Sequence, residues 1–457
     1  MRRKVLLSLL SVLLVFTSVP LLAYGGEEWT TPQKILLNES KDKKGQGYRW
    51  DADKRTLTFN NARIKDRYFH ITAKSATIVV NGENIIDQDG ADALCCNTDY
   101  DVTIKGSGSL KLIGNLMVNG GLKLPVEAPT MTIRGCSVEA DAVRGHYRGL
   151  LLRIVDGAEL KIRHSLYPTA CSLSIDNASM SCEDVLLSGS GSVEITHGGR
   201  LTAGGLRDFS SLLVDETSSL FVESEEACAL ESEIANTDMS IQLLGQEIYI
   251  RGGKLALFAM DEHRTSEGYV KVSLPQGAVS PQGAAYGTKS IADPNRENGI
   301  TTGNKYIHYT TIYEEGVNDP VYDPEASPLD LYPILGGSST FIYQSPEVKE
   351  AKEKMGKIRL QAYSQAYAKT KKQKRKIKVW WEQLNEEKQQ VSGYEIARSR
   401  KRDSGYGIMF SSPTERYINT ANLTKGTRYY YKVRAYQQVN YTRYYSDWSN
   451  VTDKIAK

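Results

Sequence analysis

A chain of 457 residues, 40% of them hydrophobic, is too long for one ordinary domain and has apolar material for two or three cores. Its net charge of +3 conceals an asymmetry, because residues 346–457 contain 25 Lys and Arg against 11 Asp and Glu, and the rest of the chain is acidic. A basic unit can indicate nucleic-acid binding, but an exported chain rarely meets nucleic acid. The expected partners of this positive charge are anionic cell-wall polymers or the acidic part of the same chain, residues 1–345.

The N-terminus predicts a secretory signal peptide over residues 1–25. The basic start MRRK precedes an apolar run from Val5 to Leu22, and small residues follow at positions 23 and 25. An uncleaved membrane anchor is the alternative, and Pro20 near the end of the run argues against it. No later stretch is apolar enough to span a membrane, and no sortase motif is present. We therefore expect a secreted or cell-surface protein with no membrane span after cleavage. The sequence does not specify its oligomeric state.

A strand–turn–strand phrase recurs between residues 77 and about 257, at a spacing of about twenty residues. The clearest copy is DVTIKGSGSLKLIG at 101–114. The first strand of each copy ends on an aliphatic residue, namely Val80, Ile104, Ile133, Ile154, Ile175, Ile195 and Val214. After a polar turn the second apolar residue follows, at Ile85, Leu110, Val138, Leu160, Met180, Leu201 and Leu220. Ile250 and Leu255 mark the last copy.

This period predicts an all-β fold, a right-handed parallel β-helix with rungs of about 20 residues. One copy cannot bury its apolar face, whereas stacked copies form a continuous core that includes Ile104 and Leu110. Gly106 and Gly108 are expected at sharp corners, where the backbone needs positive φ. The alternative is an antiparallel sandwich of hairpins, which suits the glycine turns equally well but would not keep so even a spacing.

The stretch GYRWDADKRTLTFNNARI at 47–64 alternates in polarity and turns at DADK, and we expect it to form a hairpin that caps the stack. With the two copies that follow, it resembles a family of exported bacterial β-helical proteins described as carbohydrate-binding-domain-containing surface proteins. The resemblance covers about residues 47–257 and implies a carbohydrate-binding β-helix. The matching residues are Trp50, Asp51, Leu57, Phe59, Gly82, Asn84, Ile86, Gly90, Ala93, Ile104, Gly106, Gly108 and Leu110.

The chain after the solenoid divides into two further parts. We place the capped solenoid at 26–265, an irregular end and linker rich in Gly, Pro, Asn and Asp at 266–345, and a separate domain at 346–457. Residues 357–457 resemble a fibronectin type III module. The resemblance implies that Trp381 is the buried tryptophan of the fold and that the last strand begins at Trp448. It also implies a tyrosine whose hydroxyl forms a hydrogen bond with the backbone. Leu423, Gly426, Thr427 and Tyr429 match its L-x-x-G-T-x-Y motif.

Cysteines and acidic residues provide few candidates for chemistry. The six cysteines permit disulfides in an exported protein, and small core residues are the alternative. β-Helical hydrolases and lyases need clustered carboxylates, whereas Asp156, Asp176 and Asp215 recur singly in turns, so we expect no catalytic and no cofactor-binding residues. The candidates for calcium are the three carboxylates of DQDGAD, Asp87, Asp89 and Asp92, with turn formation as the alternative.

Glycan binding needs exposed aromatic rings beside planar polar groups. The candidates in the body are Tyr68, Tyr100, Tyr147 and Tyr167, each with ordinary packing as the alternative. The basic run KKQKRK at 371–376 is expected to be a solvated loop before a strand, with contact to an anionic polymer as the alternative.

These observations favour a non-catalytic exported surface protein. Its solenoid would bind a glycan or act as an adhesive scaffold, and its basic module would serve as a spacer or contact an anionic cell-wall polymer. One alternative is a β-helical polysaccharide lyase or hydrolase, and a second is a purely structural surface stalk.

Overall fold

The computed structural model is nearly all β, with one helix among the residues it describes. Residues 1–32, which contain the predicted signal peptide, lie outside the described part. The described residues are 33–97, 101–119, 129–146, 150–168, 171–225, 227, 229–234, 239–253, 257–261, 270–275, 285–286, 299–302, 305–308, 339–367, 376–412, 416–419 and 423–457. Within these ranges, no helix is long and apolar enough to cross a membrane.

A parallel β-solenoid with three faces forms the first unit, which confirms the parallel arrangement over the hairpin sandwich. Face A contains Thr56–Asn60, Ala76–Asn81, Val102–Gly106, Thr130–Arg134, Leu150–Val155, Cys171–Asp176, the second parts of Asp184–Thr196 and Leu206–Val214, Met239–Leu243, Val270–Leu274 and Gly299–Thr302. Face B contains Arg63–Lys65, the first parts of Glu83–Asn97 and Ser109–Asn119, Ser137–Ala140, Glu159–Ile162, Ser179–Cys182, Arg200–Ala203, Ser219–Ser224 and Glu247–Gly252.

Face C completes each turn. It contains Gln33–Leu37, Arg67–Ile71, the second parts of Glu83–Asn97 and Ser109–Asn119, Val143–His146, Ser165–Pro168, the first parts of Asp184–Thr196 and Leu206–Val214, Leu230–Ile234, Leu257–Asp261 and Ala285–Tyr286. Side chains alternate between interior and exterior along these strands, so one apolar column forms inside each face.

The column on face A is a ladder of aliphatic residues in register. It consists of Leu57, Ile78, Ile104, Ile133, Ile154, Ile175, Ile195, Val214 and Leu243. The predicted members from Ile104 to Val214 are correct, but Val80 is wrong because it pairs with Gly106, and Ile78 takes its place. Ile250 is also wrong, because it pairs with Val222 on face B. Leu255 lies outside the described residues.

The corresponding ladder on face B contains one polar residue. Leu110, Val138, Leu160, Met180, Leu201 and Leu220 follow one another as predicted. At the start, Leu110 pairs with Asn84 and not with the predicted Ile85. Asn84 is 1% exposed, and its amide accepts from the Ala62 N–H at 2.8 Å and donates to the Ser109 carbonyl at 3.1 Å. These bonds satisfy the buried amide and tie three successive turns together.

Glycine is required at the corner between Val102–Gly106 and Ser109–Asn119. Gly106 has φ +145°, and a Cβ there would lie 2.1 Å from the Val80 carbonyl oxygen. At Gly108 a Cβ would lie 2.3 Å from the carbonyl oxygen of Gly82. The prediction of corner glycines is therefore confirmed. At Gly108, close approach of the neighbouring turn is the reason, since φ there is not positive.

The first turn is capped by the hairpin predicted at 47–64. Tyr48–Asp51 pairs antiparallel with Thr56–Asn60, and Lys43–Gly45 extends this pairing outward. Trp50 is fully buried, and its indole N–H donates to the Asn38 carbonyl at 2.8 Å. The antiparallel strands cover the open edge of face A, which would otherwise present unpaired backbone groups.

The described parts of 266–345 are mainly strands that complete the solenoid. Val270–Leu274, Ala285–Tyr286 and Gly299–Thr302 continue the parallel faces. Lys305–His308 closes face A by antiparallel pairing with Gly299–Thr302. Ser339–Gln344 pairs antiparallel with Glu247–Gly252 and closes face B. Much of the predicted linker lies outside the described residues.

A helix, Pro346–Lys357, begins the second unit and was not predicted from the sequence. The Ser345 hydroxyl caps it by accepting from the Val348 N–H at 3.3 Å, and Pro346 occupies the first turn. Its buried face consists of Val348, Ala351 and Met355. This face packs into the core of the sheets that follow.

Two antiparallel sheets enclose that core. Sheet D contains Leu360–Tyr367, Lys376–Gln383 and Arg416–Asn419. Sheet E contains Gly393–Ser399, Gly407–Ser412, Arg428–Val439, Thr442–Tyr445 and Thr452–Ile455. Trp381 and Leu423 are buried between them, as expected, at 2% and 7% exposure.

The tyrosine and glycine of the L-x-x-G-T-x-Y motif occupy the expected places. Tyr429 is 2% exposed, and its hydroxyl oxygen accepts from the Thr424 N–H at 3.0 Å. Gly426 lies in the turn before this strand with φ +77°. The prediction that Trp448 begins the last strand is wrong. Trp448 is half-buried in the segment before Thr452–Ile455, where two serine hydroxyls form the bonds to the neighbouring strand.

Trp448 belongs to a row of cations and rings on sheet E. The Arg434 guanidinium lies 4.5 Å from the Trp448 ring centre and 3.6 Å from that of Tyr445. Arg434 also donates to the buried Glu395 carboxylate at 2.7 Å, and Tyr445 donates to it at 2.9 Å. Burial alone would raise the pKa of Glu395, but these hydrogen bonds and the arginine charges hold it below its usual value.

Four cysteines are buried in the solenoid, in agreement with the core-residue alternative. Cys96, Cys136 and Cys182 are free thiols, and Cys95, which directly precedes Cys96, is also buried. Burial raises the pKa of the Cys136 thiol to about 11 and that of Cys182 to about 12. These thiols are therefore protonated and unreactive at neutral pH. Cys228 lies outside the described residues.

Candidate functional site

A cleft of about 770 Å³ lies where the solenoid meets the second unit. Its lining combines face A turns of the solenoid, the closing strand Ser339–Gln344, the start of the helix and the end of strand Arg428–Val439. A cleft of this size suits a small ligand or a short segment of a polymer. It is therefore the leading candidate site among the described residues.

Gln246 joins the two units at the base of this cleft. It is 2% exposed, its amide N–H donates to the Thr442 hydroxyl at 3.0 Å, and its amide oxygen accepts from the Asn440 side chain at 3.0 Å. Both donor and acceptor capacities are thus directed to the second unit. Gln246 positions the walls of the cleft rather than contacting a ligand.

Two further contacts hold the units together. Lys352 of the helix forms an ion pair with the buried Glu247, whose other oxygen accepts from the Tyr444 hydroxyl at 3.5 Å. At Gly198 of the solenoid, an added Cβ would lie 2.2 Å from the Cβ of Tyr441. The docking is therefore close, and the cleft walls are supported from both sides.

The described walls of the cleft combine carboxylate and amide side chains with one aromatic ring. Exposed Glu216, Gln242 and Glu347 line the cleft together with half-buried Tyr343. Desolvation, with the nearby Glu347 charge, raises the pKa of the Tyr343 hydroxyl, so it remains a hydrogen-bond donor at neutral pH. Carboxylate and amide oxygens accept from hydroxyl groups, and the tyrosine ring offers an apolar surface.

This composition selects for a particular ligand charge. The described lining includes two carboxylates and no lysine or arginine, so it repels anions. A neutral ligand rich in hydroxyl groups and short apolar faces matches the donors, the acceptors and the ring. Sugars have these properties.

The predicted calcium ligands do not assemble into a site. Asp92 accepts from the Asn115 side chain at 3.2 Å, and the Asp87 carboxylate accepts from the Asp89 N–H at 3.3 Å. Asp89 and Gly90 both have positive φ, which is typical of a turn. In the described part of the chain, no group of three acidic, histidine or cysteine side chains is arranged to hold a metal ion.

The recurring aspartates also serve the turns, as the sequence indicated. Asp156 pairs with Arg134 at 2.8 Å, and Asp176 lies 3.0 Å from the His197 ring. Asp215 accepts from the Ser218 hydroxyl at 2.6 Å and from the His197 N–H at 2.7 Å. Burial would raise the pKa of Asp215, but these hydrogen bonds hold it below its usual value, so the carboxylate is ionised at neutral pH.

The predicted tyrosines are not brought together. Tyr68 is half-buried in strand Arg67–Ile71 on face C. Tyr167 lies in Ser165–Pro168 on the same face, paired with Arg144 and separated from Tyr68 by several turns. Tyr100 and Tyr147 lie outside the described residues. The ring at the cleft is Tyr343, which was not among the predicted residues because the sequence around it is typical of a linker.

Comparisons with known proteins are sparse. Neither a protein-family profile nor a curated protein sequence matches the chain. Among solved structures, the chain is similar to the β-1,2-glucanase from Parabacteroides distasonis at 19% identity, with a TM-score of 0.17. The match covers 26% of this chain and 16% of that enzyme's length, and we transfer neither fold nor activity from it.

Proposed function

We propose that the protein is an exported, non-catalytic surface protein that binds a neutral glycan in the cleft between its two units. The observation that carries this proposal is the cleft lining, which combines carboxylates and amides with the Tyr343 ring. The predicted signal peptide and the resemblance to exported carbohydrate-binding β-helical proteins support the same assignment. The solenoid then acts as a rigid scaffold, and the second unit completes the site.

We further infer that the second unit is a fibronectin type III module. Buried Trp381 between two sheets and the bond between the Tyr429 hydroxyl and the Thr424 backbone support this assignment. In this reading the module is more than a spacer, because its Asn440 and Val439 line the cleft.

A glycan array probed with residues 26–457 tests the proposal. We expect binding to neutral oligosaccharides, and an affinity about tenfold lower for Gln242→Ala, which removes an exposed wall amide that can form hydrogen bonds. Glu194→Ala is the matched control, because Glu194 is an exposed face A residue in the same register column as Gln242, two turns earlier and outside the cleft lining. Absence of binding to any glycan would favour the purely structural stalk.

The enzyme alternative rests on Glu216 and Glu347, which line the same cleft. Two carboxylates on opposite sides of a bound sugar are the usual machinery of glycoside hydrolysis. Release of reducing ends from a bound oligosaccharide by the wild type, abolished in Glu216→Gln or Glu347→Gln, would establish hydrolysis and refute the non-catalytic assignment.

A further inference from the structure

The outward surface of sheet D carries aromatic and lysine side chains in cross-strand pairs. Tyr363 is opposite Trp380, and Tyr367 is opposite Lys376 in the antiparallel register. Lys378 lies between these pairs, on the same face as Trp380, because side chains alternate along a strand. All five side chains are half-buried, and we call them the aromatic–lysine face.

Ring and cation contacts organise this face. The rings of Tyr363 and Trp380 stack at 5.6 Å with an interplanar angle of 19°. The Lys378 ammonium lies 5.6 Å from the Trp380 ring centre, and the Lys376 ammonium lies 5.6 Å from that of Tyr367. The rings thus hold both ammonium groups in place before a ligand binds. Binding therefore loses less side-chain entropy than it would with freely moving lysines.

The positive charge of the face is not neutralised locally. Among the described residues, neither Lys376 nor Lys378 forms an ion pair with a carboxylate. The only carboxylate described in contact with the face is Glu382, which accepts a hydrogen bond from the Tyr363 hydroxyl. The two lysines are two positions apart on one strand, so their attachment points are separated by about 7 Å.

The face lies outside the described contacts between the two units. The described contacts with the solenoid involve the helix and the region from Asn440 to Tyr444, and none involves sheet D. A ligand on this face therefore does not compete with the cleft. The face and the cleft differ in charge, since the cleft lining contains two carboxylates.

We propose that the aromatic–lysine face binds an acidic polysaccharide, with the two ammonium groups pairing with its carboxylates and the Tyr363–Trp380 rings packing against its sugar rings. Charge complementarity selects the anion, because residues 346–457 contain 25 basic and 11 acidic residues. The rings select a polymer with an apolar ring face over a bare chain of anions. The module then provides a second attachment point, independent of the cleft.

Affinity electrophoresis of residues 26–457 in gels containing polygalacturonate tests this inference, and highly methyl-esterified polygalacturonate is the neutral control. We expect retardation only in the acidic gel, weakened about fivefold by Lys378→Gln and about tenfold by Trp380→Ala, since each removes one favourable contact. Lys425→Gln is the matched control, because it removes an exposed charge of the same module elsewhere. Trp380→Tyr, which keeps a ring, should retain binding and shows that a loss in Trp380→Ala is not caused by misfolding.

Three outcomes would overturn the proposal. They are equal retardation in both gels, equal weakening by Lys425→Gln and Lys378→Gln, and stronger binding of polyphosphate or of a thymidine oligonucleotide with the same dependence on Trp380. The cleft variant Gln242→Ala should behave as wild type in this assay. Failure here therefore leaves the neutral-glycan proposal standing, and failure of that proposal leaves this one standing.

Discussion

Replacing Gly106 by alanine tests why the corner of the repeated phrase requires glycine. The added Cβ would lie 2.1 Å from the Val80 carbonyl oxygen, whereas real Cβ atoms stay beyond about 3 Å. The neighbouring turn must move by roughly 1 Å, although parallel strands stay about 4.8 Å apart. Overpacking costs about 1–3 kcal/mol, and a φ of +145°, which glycine alone ordinarily adopts, costs an alanine about 1–3 kcal/mol more. We expect destabilisation of about 3 kcal/mol.

Gly157→Ala is the matched control for this substitution. Gly157 also has positive φ, +74°, in a corner of a later turn, but no atom lies within 4 Å of an added Cβ. It should cost only the conformational part, about 1 kcal/mol. Urea denaturation gives the two changes in free energy, and hydrogen–deuterium exchange should show faster exchange in Ala76–Asn81 and Val102–Gly106 for Gly106→Ala alone. Equal destabilisation by the two variants would refute the close-approach explanation.

The remaining predictions concern the second unit and the thiols. Tyr429→Phe removes the hydrogen bond from the Thr424 N–H and should lower the free energy of unfolding by about 1 kcal/mol, whereas Tyr430→Phe, whose side chain is only half-buried, should have almost no effect. The folded-state pKa of Glu395 is depressed, so its contribution to stability is present above its unfolded value and is lost as pH falls through the folded value. Glu395→Gln should accordingly be less stable than wild type at pH 7, and the difference should shrink below about pH 4; a constant difference would contradict this linkage. Buried Cys136 should resist iodoacetamide at pH 8 in the native protein and react after denaturation, as read by peptide mass spectrometry; labelling of the native protein would show that the site opens.

The solenoid could be predicted because its core is built from a repeated apolar position. From Ile104 to Val214 each turn contributes an aliphatic residue to the same ladder, and a period of about twenty residues reveals it. The error at Ile85 has a physical cause. The matching position of that turn on face B is the polar Asn84, which an apolar search passes over in favour of Ile85.

The helix was missed although its signals are present in the sequence. Ser345 and Pro346 are a typical cap and first-turn pair, and Val348, Ala351 and Met355 recur at helical spacing. The resemblance to a β-module begins at residue 357, where this helix ends, and therefore predicts no helix before it.

The cleft could not be predicted from a single chain segment. Its walls come from residues about 200 positions apart, joined by the bonds from Gln246 to Asn440 and Thr442. No local pattern encodes that docking, because Gln, Asn and Thr are also ordinary surface residues and their sequence positions do not show which of them will meet. In the assembled chain Gln246 is buried between the two units and Tyr343 lines the cleft.

The most direct test of the proposed function is isothermal titration of the strongest neutral oligosaccharide from the array into the wild type and the Gln242→Ala variant. We predict one binding site per chain in the wild type and an affinity about tenfold lower in the variant, with equal thermal stability. Equal affinity in the two proteins would show that the cleft is not the binding site and would contradict the proposal.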